Sequence, residues 1–175
     1  MKKVNIRKSI YSLILVCVSL LLTCMIFLPG GKQVYMIGEE TVTNLIGGLK
    51  YTFGGEIKFN IGSLVLKFNA VAFLGFTLPL FVTILYFILD LFLGNKANLF
   101  ILLVVLSYII SILLLMLSCK AMININELNG GIIDLSDTYQ LGIGSILGAI
   151  FSTIGLVGAL VITYVKLVKQ PVSGS

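Results

Sequence analysis

The chain has no histidine and no tryptophan, and only 11% of its 175 residues are Asp, Glu, Lys or Arg. Each shortage excludes something. Without histidine, the commonest general base and the commonest metal ligand are both missing. Charged residues at less than half the roughly 25% usual for soluble chains leave too little polar surface to coat a small globule. The three cysteines, Cys17, Cys24 and Cys119, contain no C-x-x-C pair, so a thiol redox site of the usual kind is excluded, although a single Cys24–Cys119 bridge is conceivable. There is also no nucleophile elbow, no G-x-x-x-x-G-K-[ST] phosphate loop and no pair of carboxylates within an apolar run. Glu39 and Glu40 read as a solvated pair that starts a short helix. The expectation is a protein that is not an enzyme and carries no cofactor and no metal.

What fills the composition instead is apolar: 58% of residues are hydrophobic. A helix needs about 20 apolar residues to cross the hydrocarbon core of a bilayer. Four runs qualify: Ser9 to Leu28, Phe68 to Leu93, Leu99 to Leu117, and Leu141 to Val165. The first could be a cleaved signal peptide, but it exceeds a typical h-region and no A-x-A site follows it. Leu21-Leu22-Thr23-Cys24 looks like a degraded lipobox, yet threonine precedes the cysteine and the apolar run continues past it. The run is therefore read as a retained helix.

The net charge of +5 is a topology signal, with no nucleic-acid partner implied, because Lys2, Lys3, Arg7 and Lys8 cluster just before an apolar run. With the N-terminus inside, the cytoplasmic segments also hold Lys96, Lys166 and Lys169. The expected location is the cell membrane, multi-pass, with both termini cytoplasmic. The expected partners are the lipid bilayer and either a second copy or another membrane protein.

The segments outside the runs are a first outer loop, 30–67, and a second, 118–140. In the first, Leu49–Phe53, Glu56–Ile61 and Leu64–Phe68 alternate and are broken by Gly54-Gly55 and Gly62-Ser63, which are hairpin signals. This spacing predicts a three-stranded meander, with Gln33–Ile37 available as a fourth strand and Glu39–Ile46 as a short helix. The fold class is thus membrane α-helical: a single four-transmembrane-helix bundle, 1–175, with a small extracellular antiparallel β-sheet in the first outer loop. In the second loop, Asn124, Asn126, Glu127, Asn129, Asp134, Ser136 and Asp137 offer oxygens, but EF-hand spacing is missing. Ser136 or Asp137 is expected to cap the fourth helix.

Each run carries a stripe of small and polar residues. In the fourth, Ser145, Gly148, Ser152, Gly155, Ala159 and Thr163 recur at steps of three or four, which places them on one helix face. The others are Ser12, Ser19 and Thr23 in the first; Gly75, Pro79, Thr83, Tyr86 and Asp90 in the second; Ser107, Ser111 and Ser118 in the third. Small stripes let helix backbones approach in lipid, and hydroxyls bond between them. The same residues would also suit a polar path, with Asp90, Tyr86 and Thr83 as its candidates. Asp90 is the one ionisable residue inside an apolar run, where an acid is a functional hypothesis by default. A salt bridge to Lys96, Lys166 or Arg7 would account for it structurally. Pro79 is expected to kink its helix, with a neighbour satisfying the carbonyl it frees.

The order of parts resembles the claudin-like architecture: one span, a large β-rich outer loop, then three spans with a short inner turn and a shorter outer loop. The likeness is one of topology across most of the chain. The tryptophans and the cysteine pair that mark the claudin first loop are absent, so no barrier function is carried over. The run Leu49-Lys50-Tyr51-Thr52-Phe53-Gly54-Gly55 also looks like part of small four-span bacterial membrane proteins without assigned activity. Two functions follow as expectations. One is a non-catalytic assembly, scaffold or accessory subunit acting through its outer loop and helix packing. The other is a small channel or transporter subunit with a polar path ending at Asp90.

Overall fold

The computed structural model describes residues 6–37, 40–59, 62–122, 124–126, 132–133 and 139–168. Four helices among them are long and apolar enough to cross a membrane. They are α1 (Ile6–Cys24), α3 (Ala70–Leu93), α4 (Ile101–Leu117) and α5 (Ile143–Thr163), with a shorter helix α2 (Gly48–Phe53) between the first two. A 3-10 turn, Met25–Phe27, extends α1, and another, Gly94–Phe100, joins α3 directly to α4. A π-helical turn, Tyr164–Val168, continues α5.

The long helices form a four-membered ring in which α1 and α4 each pack against both α3 and α5, while α3 and α5 barely meet. Their inward faces follow the helical repeat: Ser12, Leu15, Ser19 and Leu22 on α1, and Ile101, Val104, Tyr108, Ser111 and Leu115 on α4, are all buried. The outward faces are apolar too, with Phe81 65% and Leu113 55% exposed. A helix that is apolar all round is one that water does not surround. The interior falls into two clusters. One gathers Leu22, Tyr51, Phe76 and Leu115 at the end where the strands lie, and the other gathers Leu15, Tyr86, Val104 and Tyr108 towards Asp90.

The strands lie in two antiparallel sheets. The first has the order β2-β1-β7, from β1 (Gly31–Ile37), β2 (Glu40–Ile46) and β7 (Tyr139–Leu141). The second has the order β3-β4-β5-β6, from β3 (Gly55–Phe59), β4 (Gly62–Leu66), β5 (Asn124–Asn126) and β6 (Ile132–Ile133). The β3–β4 hairpin and the β1 strand fall on the Glu56–Ile61, Leu64–Phe68 and Gln33–Ile37 runs, but Gly62 and Ser63, expected as the break, are the first residues of β4 and pair with Phe59 and Lys58.

Four expectations are corrected. The β-structure is not confined to the first long loop: the second supplies β5, β6 and β7, and β1 pairs with β7 rather than joining the β3–β4 hairpin. Leu49–Phe53 is a helix, not a strand. A helix turns Tyr51 and Thr52 to the same side, and both are fully buried, whereas a strand would send these neighbours to opposite faces. Glu40–Ile46 is a strand, not a helix, in keeping with its β-branched Thr41, Val42, Thr43 and Ile46. Finally, α5 starts at Ile143, and its N-cap position is held by Gly142. Glu39, Glu127, Asn129, Asp134, Ser136 and Asp137 lie outside the described residues.

Candidate functional site

Asp90 comes to rest in the last turn of α3, 7% exposed, with partners from two other helices. Lys166, just past α5, donates from Nζ to Asp90 Oδ1 at 2.7 Å and to the Tyr86 hydroxyl at 2.9 Å, and its ammonium stands 5.3 Å from the Tyr86 ring centre. Ser12 of α1 donates to Asp90 Oδ2 at 2.9 Å. Lys166 is one of the three cations the sequence offered for Asp90; the side chains of Arg7 and Lys96 lie outside the described ones. The cluster therefore ties α1, α3 and the end of α5 together at one end of the bundle. Both carboxylate oxygens accept charge-assisted or hydroxyl hydrogen bonds, as a buried carboxylate requires.

Thr83, the third path candidate, belongs to a separate cluster two turns deeper. Its hydroxyl lies 2.8 Å from the Pro79 carbonyl and 3.1 Å from Ser19 Oγ. Ser19 Oγ is 2.6 Å from the Tyr108 hydroxyl, which also reaches the Leu15 carbonyl at 3.2 Å. One consistent proton arrangement has Thr83 donating to Pro79 O, Ser19 to Tyr108, and Tyr108 to Leu15 O. Every hydroxyl is then satisfied without water. Between and beyond these clusters stand Leu15, Leu22, Phe76, Val104 and Leu115, each no more than 1% exposed.

The α5 stripe meets a particular neighbour at each step. Ser145 donates to Gly30 O at 2.7 Å. Gly148 lies where a Cβ would be 2.9 Å from Phe76 and 3.0 Å from Leu115. Ser152 Oγ is 2.8 Å from Ser111 Oγ. Gly155 faces the Tyr108 ring so closely that a Cβ would overlap it, and Ala159 is fully buried. Tyr108 cannot yield cheaply, because its hydroxyl is held by Ser19 and Leu15 of α1. Gly155→Ala is therefore expected to destabilise the bundle by about 1–3 kcal/mol, the usual cost of overpacking. SDS titration of the folded protein in mixed micelles would measure it.

Ser111 also answers the proline inside α3, Pro79. Proline has no N–H, so the carbonyl four residues earlier, Gly75 O, loses its helical donor. Ser111 Oγ of α4 donates to Gly75 O at 2.6 Å, while Thr23 of α1 reaches the adjacent Phe76 O at 2.9 Å. We expect Ser111→Ala to cost about 0.6–1.7 kcal/mol, the range of interhelical hydrogen bonds in membrane proteins. Combined with Pro79→Ala, which returns a donor to Gly75 O, its cost should shrink. Equal costs in both backgrounds, by the same titration, would mean the serine does not serve that carbonyl.

At the opposite end, Tyr51 of α2 drops into the mouth of the ring. It is fully buried beneath Gly30 and Gly31, with its hydroxyl donating to Ser118 Oγ at 2.6 Å and lying 3.3 Å from Cys119 Sγ. Burial, reinforced by the Cys119 thiol beside it, pushes the Tyr51 phenol far above its ordinary range, and burial raises Cys119 as well. Both groups therefore keep their protons at any physiological pH. Cys119 is thus engaged with Tyr51, and Cys17, Cys24 and Cys119 are all free thiols, which corrects the conceivable Cys24–Cys119 bridge.

Asn69 is a further structural residue that sequence reasoning passed over. Its side chain accepts from Ala72 N at 3.0 Å as the N-cap of α3 and donates to Ser118 O at 2.9 Å, closing α3 onto the end of α4. The signal was present, since Asn directly before an apolar helix is an N-cap pattern. Tyr51 had no such signal. Among the described residues, no three His, Cys, Asp or Glu side chains gather as a metal site. Comparison with protein-family models, curated proteins and solved structures gave no match.

Proposed function

We propose that the chain is an integral membrane protein, spanning the bilayer four times with both termini cytoplasmic, and that it is non-catalytic. In this reading it is an assembly or accessory subunit that holds a partner through the β-structure at its outer end. The apolar outward faces of the four helices support the membrane part, and the lysines and Arg7 flanking the Asp90 end support the orientation.

The observation that carries the partner reading is the outer edge of β2. Among the described residues this seven-residue strand pairs with β1 on one side and stands at the edge of its sheet. Natural edge strands are normally guarded by lysine, proline or a bulge. β2 reads Glu-Thr-Val-Thr-Asn-Leu-Ile, with no lysine and no proline. Such an edge accepts another strand by main-chain hydrogen bonding. The test is a photo-crosslinking residue at Thr43, exposed on β2, in cells, followed by purification in mild detergent and mass spectrometry. An adduct of one defined protein, or of a second copy, is expected. A lone, unlinked monomer would overturn the reading.

The buried Asp90–Lys166 pair favours the second reading, a small channel or transporter subunit. Against it, the space between the helices is occupied by large side chains that lie fully inside. Unchanged flux in reconstituted vesicles carrying Asp90→Asn would remove its main support.

A further inference from the structure

Helix α2 is apolar on both sides. Its inner side carries Tyr51 and Thr52, fully buried, while Leu49 and Phe53, one turn apart and on the opposite side, are 49% and 52% exposed. Between the bundle and water, an outward face of that kind should be polar; here Lys50 is its one charged residue.

The surroundings of α2 continue the apolar surface of the long helices. Its first residue abuts the exit of α1, where a Cβ at Gly48 would overlap the Ile26 and Leu28 carbonyls. Its end leads to α3, where Asn69 N donates to Thr52 O at 2.9 Å. The Phe53 ring is 5.8 Å from Phe73 and 6.3 Å from Phe68. Phe73 lies in the first turn of α3, so Phe53 sits at the depth where that helix begins. Beside Leu49, exposed Phe27 and Leu45 border an open groove of about 310 Å³ that Lys50 also lines.

We infer that α2 is an interfacial helix, lying along the outer bilayer surface with Leu49 and Phe53 in the headgroup–acyl boundary and phospholipid as the occupant of the adjoining groove. The inference rests on the membrane-spanning reading. Aromatic and amphipathic side chains favour that depth, and Lys50, whose ammonium donates to Glu56 O at 2.9 Å on the exposed side of the helix, has donors left over for phosphates while its stem covers apolar surface. The groove is open to the same lipid that would surround Phe27 at the end of α1. Fixed in this layer, α2 sets the height of both sheets above the membrane.

The absence of tryptophan makes the test clean, because one introduced tryptophan is the only one in the chain. Leu49→Trp and Phe53→Trp would each be reconstituted into phosphatidylcholine vesicles with bromines placed shallow or deep on the acyl chains. Phe81→Trp, outward at the middle of α3, and Thr43→Trp, exposed on β2, serve as the deep and aqueous references. Both α2 variants should emit blue-shifted of Thr43→Trp and lose more intensity to shallow than to deep bromines, with the order reversed at Phe81→Trp. If both α2 variants instead respond to aqueous iodide as Thr43→Trp does, while Phe81→Trp is still quenched by lipid, α2 stands in water and the inference fails alone. An unquenched Phe81→Trp would overturn the membrane-spanning reading and the inference with it.

Discussion

Replacing Asp90 by leucine should lower the stability of the bundle by about 3–5 kcal/mol, the usual effect of removing one member of a buried ion pair. The loss would come less from the missing attraction than from what remains. Lys166, with 12% of its side chain exposed, would keep the Tyr86 hydroxyl and ring as its partners among the described residues, and its charge would be uncompensated in an apolar setting. Ser12 would lose its bond to Oδ2 at the same time. Replacing both charges, Asp90→Leu with Lys166→Met, should recover most of the loss, because a well-packed apolar pair is commonly as stable as the buried ion pair it replaces. SDS titration of the two variants measures both effects. If Asp90→Leu costs less than about 1 kcal/mol, the pair behaves as a surface salt bridge, with the lysine stem swinging its charge into the interface. Full recovery in the double variant would also separate structure from transport: flux that survived it would not need the carboxylate.

The bundle was legible in the sequence because its rules are local and repeated. A buried helix face requires a residue every three or four positions, so Ser145, Gly148, Ser152, Gly155 and Ala159 declare their face without reference to any neighbour. The same repetition made Asp90 conspicuous and narrowed its partner to three cations. What the pattern withheld was the identity of each contact. Nothing in the spacing says that Gly155 faces Tyr108 or that Ser111 serves the carbonyl freed by Pro79, because those depend on helix rotation and depth.

The loop elements failed for a different reason. Segments of five to seven residues contain too little repetition to separate a helix from a strand. Leu49–Phe53 alternates well enough to pass for a strand. Its helical state is imposed from outside, by the close approach of Gly48 to the α1 exit and by the positive φ of 83° at Gly54, where it ends. Glu40–Ile46 shows the converse: Val42, Leu45 and Ile46 mimic a helical face, yet seven residues of β1 pair with it from Gly31–Ile46 to Ile37–Glu40. Strand β7 was hidden because it straddles the end of the second loop and the start of an apolar run, where Leu141 reads equally well as the start of α5.

Tyr51 is the place where those loop elements are joined to the bundle, and Tyr51→Ala is expected to cost about 3–5 kcal/mol, the range for deleting a fully buried aromatic side chain. Its ring supports Gly30 and Gly31 from below, and these lead into β1. Gly30 O in turn accepts from Gly142 N at 3.0 Å and from Ser145, so the start of α5 is built on the same spot. Removing the ring would leave a cavity beneath β1, α2 and the start of α5 together. Tyr51→Phe keeps the packing and removes the hydroxyl that donates to Ser118, for an expected loss of about 0.5–1.5 kcal/mol. The two variants thus separate shape from hydrogen bonding. A further readout is amide hydrogen exchange: in Tyr51→Ala, protection should fall across β1 and β2 while the middles of α3 and α4 stay protected. Loss of protection throughout the bundle would mean that sheet and helices form one cooperative unit. Unchanged protection in β1 would mean that the sheet is held by its own pairing with β2 and β7, and that Tyr51 is not the link.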